Sequence, residues 1–164
     1  MKIRLFAPMV LLVACKGGHR AGADGATAKI GETVKFDDSE WVVVEAKDAG
    51  KVLEGTNPTN HEEKKTEGRF IEVHYKVTNK GKNEEMLINP PRLVDAKKDD
   101  IEHIQNESFF LPPNAKTVAL DTLVPGTTRE FWTVFEVPAG ATGIECQLHA
   151  LSAFGDKKDV ELGL

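Results

Sequence analysis

The sequence predicts an all-β chain folded as an antiparallel β-sandwich, and three observations carry that prediction. Arg69 to Gly81 alternates cleanly: Ile71, Val73, Tyr75 and Val77 fall on one side, and Glu72, His74, Lys76 and Thr78 on the other. Successive strand side chains point to opposite faces, so this is a strand with one dry face, and β-branched and aromatic residues suit such a surface. The other apolar runs are short and bounded by Pro, Gly, Asn and Asp, as strands are and long amphipathic helices are not. Finally, no internal repeat or second linker divides the chain, so the dry face must be covered by a second sheet of the same domain.

Met1 to Ala14 precedes that domain. Lys2 and Arg4 are followed by an apolar run through Leu5, Phe6, Val10, Leu11, Leu12 and Val13. The run is shorter than the roughly 20 residues a membrane-spanning helix needs, and its basic start and small-residue end describe a removable secretory leader over 1–14. Leu12-Val13-Ala14-Cys15 resembles the lipobox of bacterial lipoproteins. That resemblance implies cleavage before Cys15, a diacylglyceryl thioether on its sulfur and an acylated amine, palmitate being one such chain. One acyl chain holds a protein only marginally, whereas several anchor it firmly. Residues 15–30, rich in Gly and Ala, read as a lipidated, flexible tether, leaving 31–164 as the domain. Lys16 after the cysteine resembles lipoproteins sent to the outer membrane of cells that have two. The expected location is therefore the cell envelope, on a bacterial membrane.

The formal charge is −5, becomes more negative once Lys2 and Arg4 leave, and includes no basic block, which argues against nucleic-acid binding. Only two cysteines occur, an unusual economy for an exported protein. Lipidation consumes Cys15. Cys146 lies on the apolar side of Ile144 to Ala150, so its thiol is expected in the core as a small hydrophobe with no disulfide partner.

Taken in order, Thr33 to Phe36, a turn at Asp37 to Ser39, and Trp41 to Ala46 form a first hairpin. Asp48 to Gly68 contains Gly50, Gly55, Pro58 and the cluster His61-Glu62-Glu63-Lys64-Lys65, and reads as a long surface loop. The cluster is no zinc-protease motif, because the position four residues after His61 is Lys65. After the central strand come Met86 to Ile88, the Asn89-Pro90-Pro91 break, Arg92 to Val94, and Ile101 to Ile104. Asp95, Asp99, Asp100 and Glu102 offer hard oxygen ligands for calcium, but Lys97 and Lys98 lie among them and the EF-hand glycine is missing. Phe109-Phe110-Leu111 is an apolar patch followed by two prolines. It is either a lid over the core or a contact surface for a protein partner. Val118 to Val124 is the next strand, and Pro125-Gly126 turns the chain.

Thr78-Asn79-Lys80-Gly81 after the long strand, Leu123-Val124-Pro125-Gly126, and Val134-Phe135-Glu136-Val137-Pro138 together resemble a bacterial lipoprotein family built on a domain of unknown function. The resemblance covers about Gly31 to Ala150, the size of such a domain. It implies an immunoglobulin-like sandwich similar to that of a mycobacterial secreted immunoprotective antigen, and it implies no activity or cofactor. The chain departs from the family pattern at Asp95 to Asp100, where a Gly-containing turn is expected, and at Phe131-Trp132.

A scan for chemistry finds no nucleophile elbow, phosphate loop or Cys-x-x-Cys. The expectation is a non-enzymatic, lipid-anchored binding or assembly module that engages a protein through its loops, with Phe109, Phe110 and Leu111 as contacts and no cofactor or metal. The alternative is a metal carrier or enzyme whose site gathers His74, His149, Glu72 and Glu145 across strands.

Overall fold

The computed structural model describes residues 27–56, 62–88, 90–118, 121–152 and 155–164. The leader, Cys15, most of the tether and His61 lie outside them. Among the described residues eleven strands follow in order: β1 Ala28–Lys29, β2 Thr33–Lys35, β3 Ser39–Glu54, β4 Glu63–Asn79, β5 Glu85–Met86, β6 Arg92–Val94, β7 Asp100–Ile101, β8 Thr122–Leu123, β9 Thr128–Val137, β10 Glu145–His149 and β11 Lys157–Glu161. A 3-10 turn, Glu107–Phe109, separates β7 from β8. One sheet runs β2-β3-β4-β9, the other β1-β11-β10-β6-β7, and β5-β8 form a small ribbon. All described pairs are antiparallel except β1, which runs parallel to β11. That pairing places Ala28 and Lys29, inside the segment expected to be tether, in the sheet.

The alternating pattern decides what is buried. Ile71, Val73, Tyr75 and Val77 are fully buried on the inner face of β4, with Trp41, Val43, Phe131 and Phe135 from its neighbours. Leu93, Cys146, Leu148 and Val160 meet them from the other sheet in one continuous cluster. Trp41, Tyr75 and Phe131 form a tilted aromatic row with centroids 5.9 and 6.0 Å apart. The Tyr75 hydroxyl, in hydrogen-bond contact with Thr133 Oγ1 at 3.2 Å, keeps its proton far above the ordinary tyrosine range because burial disfavours the phenolate. Cys146 is a buried free thiol, and burial pushes its pKa up to about 12.

The corner after β4 is fixed by one side chain. Asn79 is fully buried; its Nδ2 donates to the carbonyls of Asn83 and Leu123 at 2.8 and 2.7 Å, and its Oδ1 accepts from Gly81 N. A buried polar group survives only when so satisfied. The turn at Asp95 replaces the expected glycine with Lys98, which takes a left-handed φ of 66° while Asp95 Oδ1 accepts from the amides of Lys97 and Asp99.

Two expectations are corrected. Asp48 to Gly68 is not one long loop: β3 runs on to Glu54 and β4 begins at Glu63, a hairpin arm that pairs Leu53 with Lys64 and Glu54 with Glu63, while 57–61 lie outside the described residues. Its glycines misled because Gly50, at φ 77°, serves an irregularity in the ladder rather than its end. Among the described residues of Val118 to Val124, only Thr122–Leu123 is strand.

Candidate functional site

A second, smaller core lies on the outer face of the four-stranded sheet. Phe70 and Val134 point outward from β4 and β9, and Leu53 from the arm, Ile104 and Leu111 cover them. Two connections hold this cover down. Thr56, on the arm, donates from its backbone N to Phe109 O at 2.8 Å and from Oγ1 to Leu111 O at 2.6 Å. On the outer edge of β9, Ile104 N donates to Val134 O at 2.8 Å, and Glu107 Oε2 accepts from Val134 N at 2.8 Å.

Glu107 is therefore a buried carboxylate at the root of the turn that presents Phe109. Burial pushes its pKa up to about 7, and the Val134 amide opposes part of that rise. Asn106, just before it, adopts a left-handed φ of 57°. Nothing in the sequence marks Glu107 as buried, because its partner is a backbone amide of a distant strand.

The cover splits the expected contact triad. Leu111 is only 1% exposed and belongs to the second core, so its assignment as a partner contact is corrected: Phe70 and Val134 leave an apolar face that it fills. Phe110 is half-buried against the same cluster. Phe109 stands out, 41% exposed, on a backbone whose carbonyl Thr56 holds.

Beside this cover runs an open groove of about 830 Å³, lined on one side by Lys64 to Gly68 of the arm and on the other by Glu102 to Gln105. Glu136 and Pro138 close its end, and Lys64 reaches Glu136 at 3.6 Å. A second depression of about 390 Å³ continues past His103 to Pro91 and Ile88, itself 53% exposed. Gly68 allows β4 and β9 to close the Pro138 end of the groove, since a Cβ there would stand 1.9 Å from Val137 O.

The scattered metal set does not assemble. His74 lies on the outer face of the four-stranded sheet, stacked on Trp132 at 4.0 Å and paired with Glu130 at 3.2 Å, and Glu72 reaches Lys47. His149 and Glu145 lie on the other sheet, so the sandwich separates the two pairs. Glu145 and Asp159 both take Lys98 Nζ, which holds that ammonium's pKa above its ordinary value. Burial, with help from Lys157 and Arg92, lowers the pKa of His149, whose buried Nε2 meets no hydrogen-bond partner among the described residues. Of the acids weighed for calcium, Asp95 is spent in its turn and Asp100 on Arg92 at 3.2 Å. Among the described residues, no three His, Cys, Asp or Glu side chains come together as metal ligands. Cys15 lies outside the described residues.

Comparison with solved structures finds the same fold at low identity. The yjhA protein of Bacillus subtilis superposes with a TM-score of 0.62 at 14% identity, covering 82% of this chain and 99% of the other. The secreted protein MPT63 of Mycobacterium tuberculosis gives 0.50 at 14% identity over 85% and 96%. The ycdA protein of Bacillus subtilis, provisionally described as a lipoprotein, gives 0.56 at 12% identity over 80% of this chain and 39% of its own. Comparison with curated proteins gives no match. A family model matches residues 28–159, most of the chain and all but the ends of the sandwich, so the protein belongs to the DUF4352 family, a domain of unknown function.

Proposed function

We propose that this chain is a lipid-anchored binding module of the cell envelope, without catalytic activity, which engages a protein partner through the arm surface around Phe109. The observation that carries the reading is Phe109 itself: an aromatic side chain 41% exposed on a backbone fixed by Thr56 and rooted by Glu107. Holding an apolar side chain ready in water gains nothing for folding, and a pre-ordered aromatic loses little entropy on binding. The groove beside it supplies polar groups for orientation. The anchor rests on Leu12 to Cys15, and a secreted protein and a provisional lipoprotein among the structural neighbours support an envelope or extracellular place.

Phe109→Ser tests the contact. It should abolish cross-linking of the chain to its partner in intact envelopes; an undiminished cross-link would remove Phe109 from the interface. Cys15→Ser tests the anchor, and should move the chain from the detergent phase to the aqueous phase. Partitioning unchanged by that substitution contradicts lipidation.

A further inference from the structure

Among the described residues, β4 is paired on both sides only in its second half. β9 accompanies it from Arg69 to Thr78, and then Pro138, which has no amide hydrogen, ends the ladder beside Gly68. From Glu63 to Lys65 the ladder runs to β3 alone, and β4 then bows away before Phe70 meets Gly50. The opposite edge of this stretch forms a wall of the open groove.

The direction of its backbone groups follows from bonds at both ends. Val134 turns its N–H and C=O away from β4, to Glu107 and Ile104, so its register partner Glu72 also turns away from β9, and the odd-numbered residues of β4 face β9. At the other end Glu62 O accepts from Gly55 N across the arm, which again sends the odd-numbered residues to the far side. The burial of its side chains alternates from Glu63 to Gly68 and again from Ile71 to Asn79. Lys65 and Glu67 therefore offer their amides and carbonyls to the groove.

An unpaired strand edge is a template for another strand. Antiparallel pairing of two identical edges must place like-directed residues opposite each other, which leaves two central registers. Centred on Lys65, it opposes Lys65 to Lys65 and Glu63 to Glu67, all like charges. Centred on Thr66, it opposes Lys65 to Glu67 twice, sets Thr66 against Thr66, and places Lys64 opposite Gly68, where no side chain stands. Opposite charges and Thr pairs across strands are favourable, and like charges are not. The charges that block indiscriminate pairing thus select one register.

We propose that two copies of this chain associate by antiparallel pairing of these edges about a two-fold axis at Thr66, joining their four-stranded sheets into one. Such a contact is isologous and closes at two copies. It exchanges the Glu63 to Lys65 pair, 3.1 Å apart within one chain, for Lys65 to Glu67 between chains. The overlap is short, so the pair is weak in dilute solution and favoured where copies are concentrated.

Disulfide trapping in the purified full-length chain tests this. Directly opposed strand residues bring their Cβ atoms within disulfide reach, so Thr66→Cys should give a cross-linked dimer on mild oxidation, several-fold more than Lys65→Cys. Adding Glu67→Lys to Thr66→Cys should lower the yield several-fold, and adding Lys65→Glu as well should restore it. No dimer from Thr66→Cys, equal yields at both positions, or a swapped pair that stays as low as the single charge change would each overturn the proposal.

Discussion

The two halves of β4 make the same strand serve opposite ends. From Phe70 to Thr78 it has a strand on each side and the main core beneath it, and the inward Ile71, Val73, Tyr75 and Val77 are buried. From Glu63 to Gly68 it has charged side chains and an open groove, with a ladder to β3 from Glu63 to Lys65. The difference is not in propensity, since both halves are extended, but in what stops β9: one proline and one glycine approach. Stability is concentrated in the stretch after Gly68, and the surfaces free to bind lie around the stretch before it.

Substitutions in the two cores break or sharpen that contrast. Phe131→Ala, in the main core, should cost about 3 to 5 kcal/mol and lower the melting of the whole domain. Leu111→Ala, in the second core, should cost less, about 2 to 3 kcal/mol, and should open the arm near Gly55 to proteases before the sandwich melts. Equal losses with a single cooperative transition would mean that the two cores are one.

Glu107 gives a pH-dependent version of the same contrast. Its folded pKa of about 7 lies above the ordinary 4.5, so the folded state binds the extra proton between those values. Stability should then fall as pH rises from about 4.5 to 7 and level off above, by at most about 3 kcal/mol. His149, with its lowered pKa, contributes the opposite slope near the ordinary imidazole range. Comparing melts of wild type and Glu107→Gln over that range isolates the carboxylate, and identical profiles would contradict its placement. The smallest effect belongs to Phe109→Ser, whose melting temperature should correspond to a change within about 0.5 kcal/mol.

Much of the main sandwich was legible because burial follows the period-two pattern. Ile71 to Val77 and Ile144 to Ala150 were readable residue by residue, as was the free thiol of Cys146. The arm was not, because its Glu63 to Gly68 strand is polar on both faces and turns to solvent and groove, so no hydrophobic alternation marks it, although Leu53 on the facing strand is buried. The candidate site was half legible. Phe109 to Leu111 stood out as apolar, but which of the three is covered depends on Phe70 and Val134, whose outward burial breaks the alternation rule of their own strands.

The central claim is that the arm edge of β4 is unpaired in a single copy, and backbone amide exchange measures it directly. At high dilution the amides of Lys65 and Glu67 should exchange rapidly, while that of Lys64, facing Leu53, is slower and those of Val73 and Tyr75 are slowest. Protection of Lys65 and Glu67 that appears as concentration is raised agrees with pairing between copies. Protection equal to that of Tyr75 at the highest dilution would show the edge already covered within one chain, and would contradict the account.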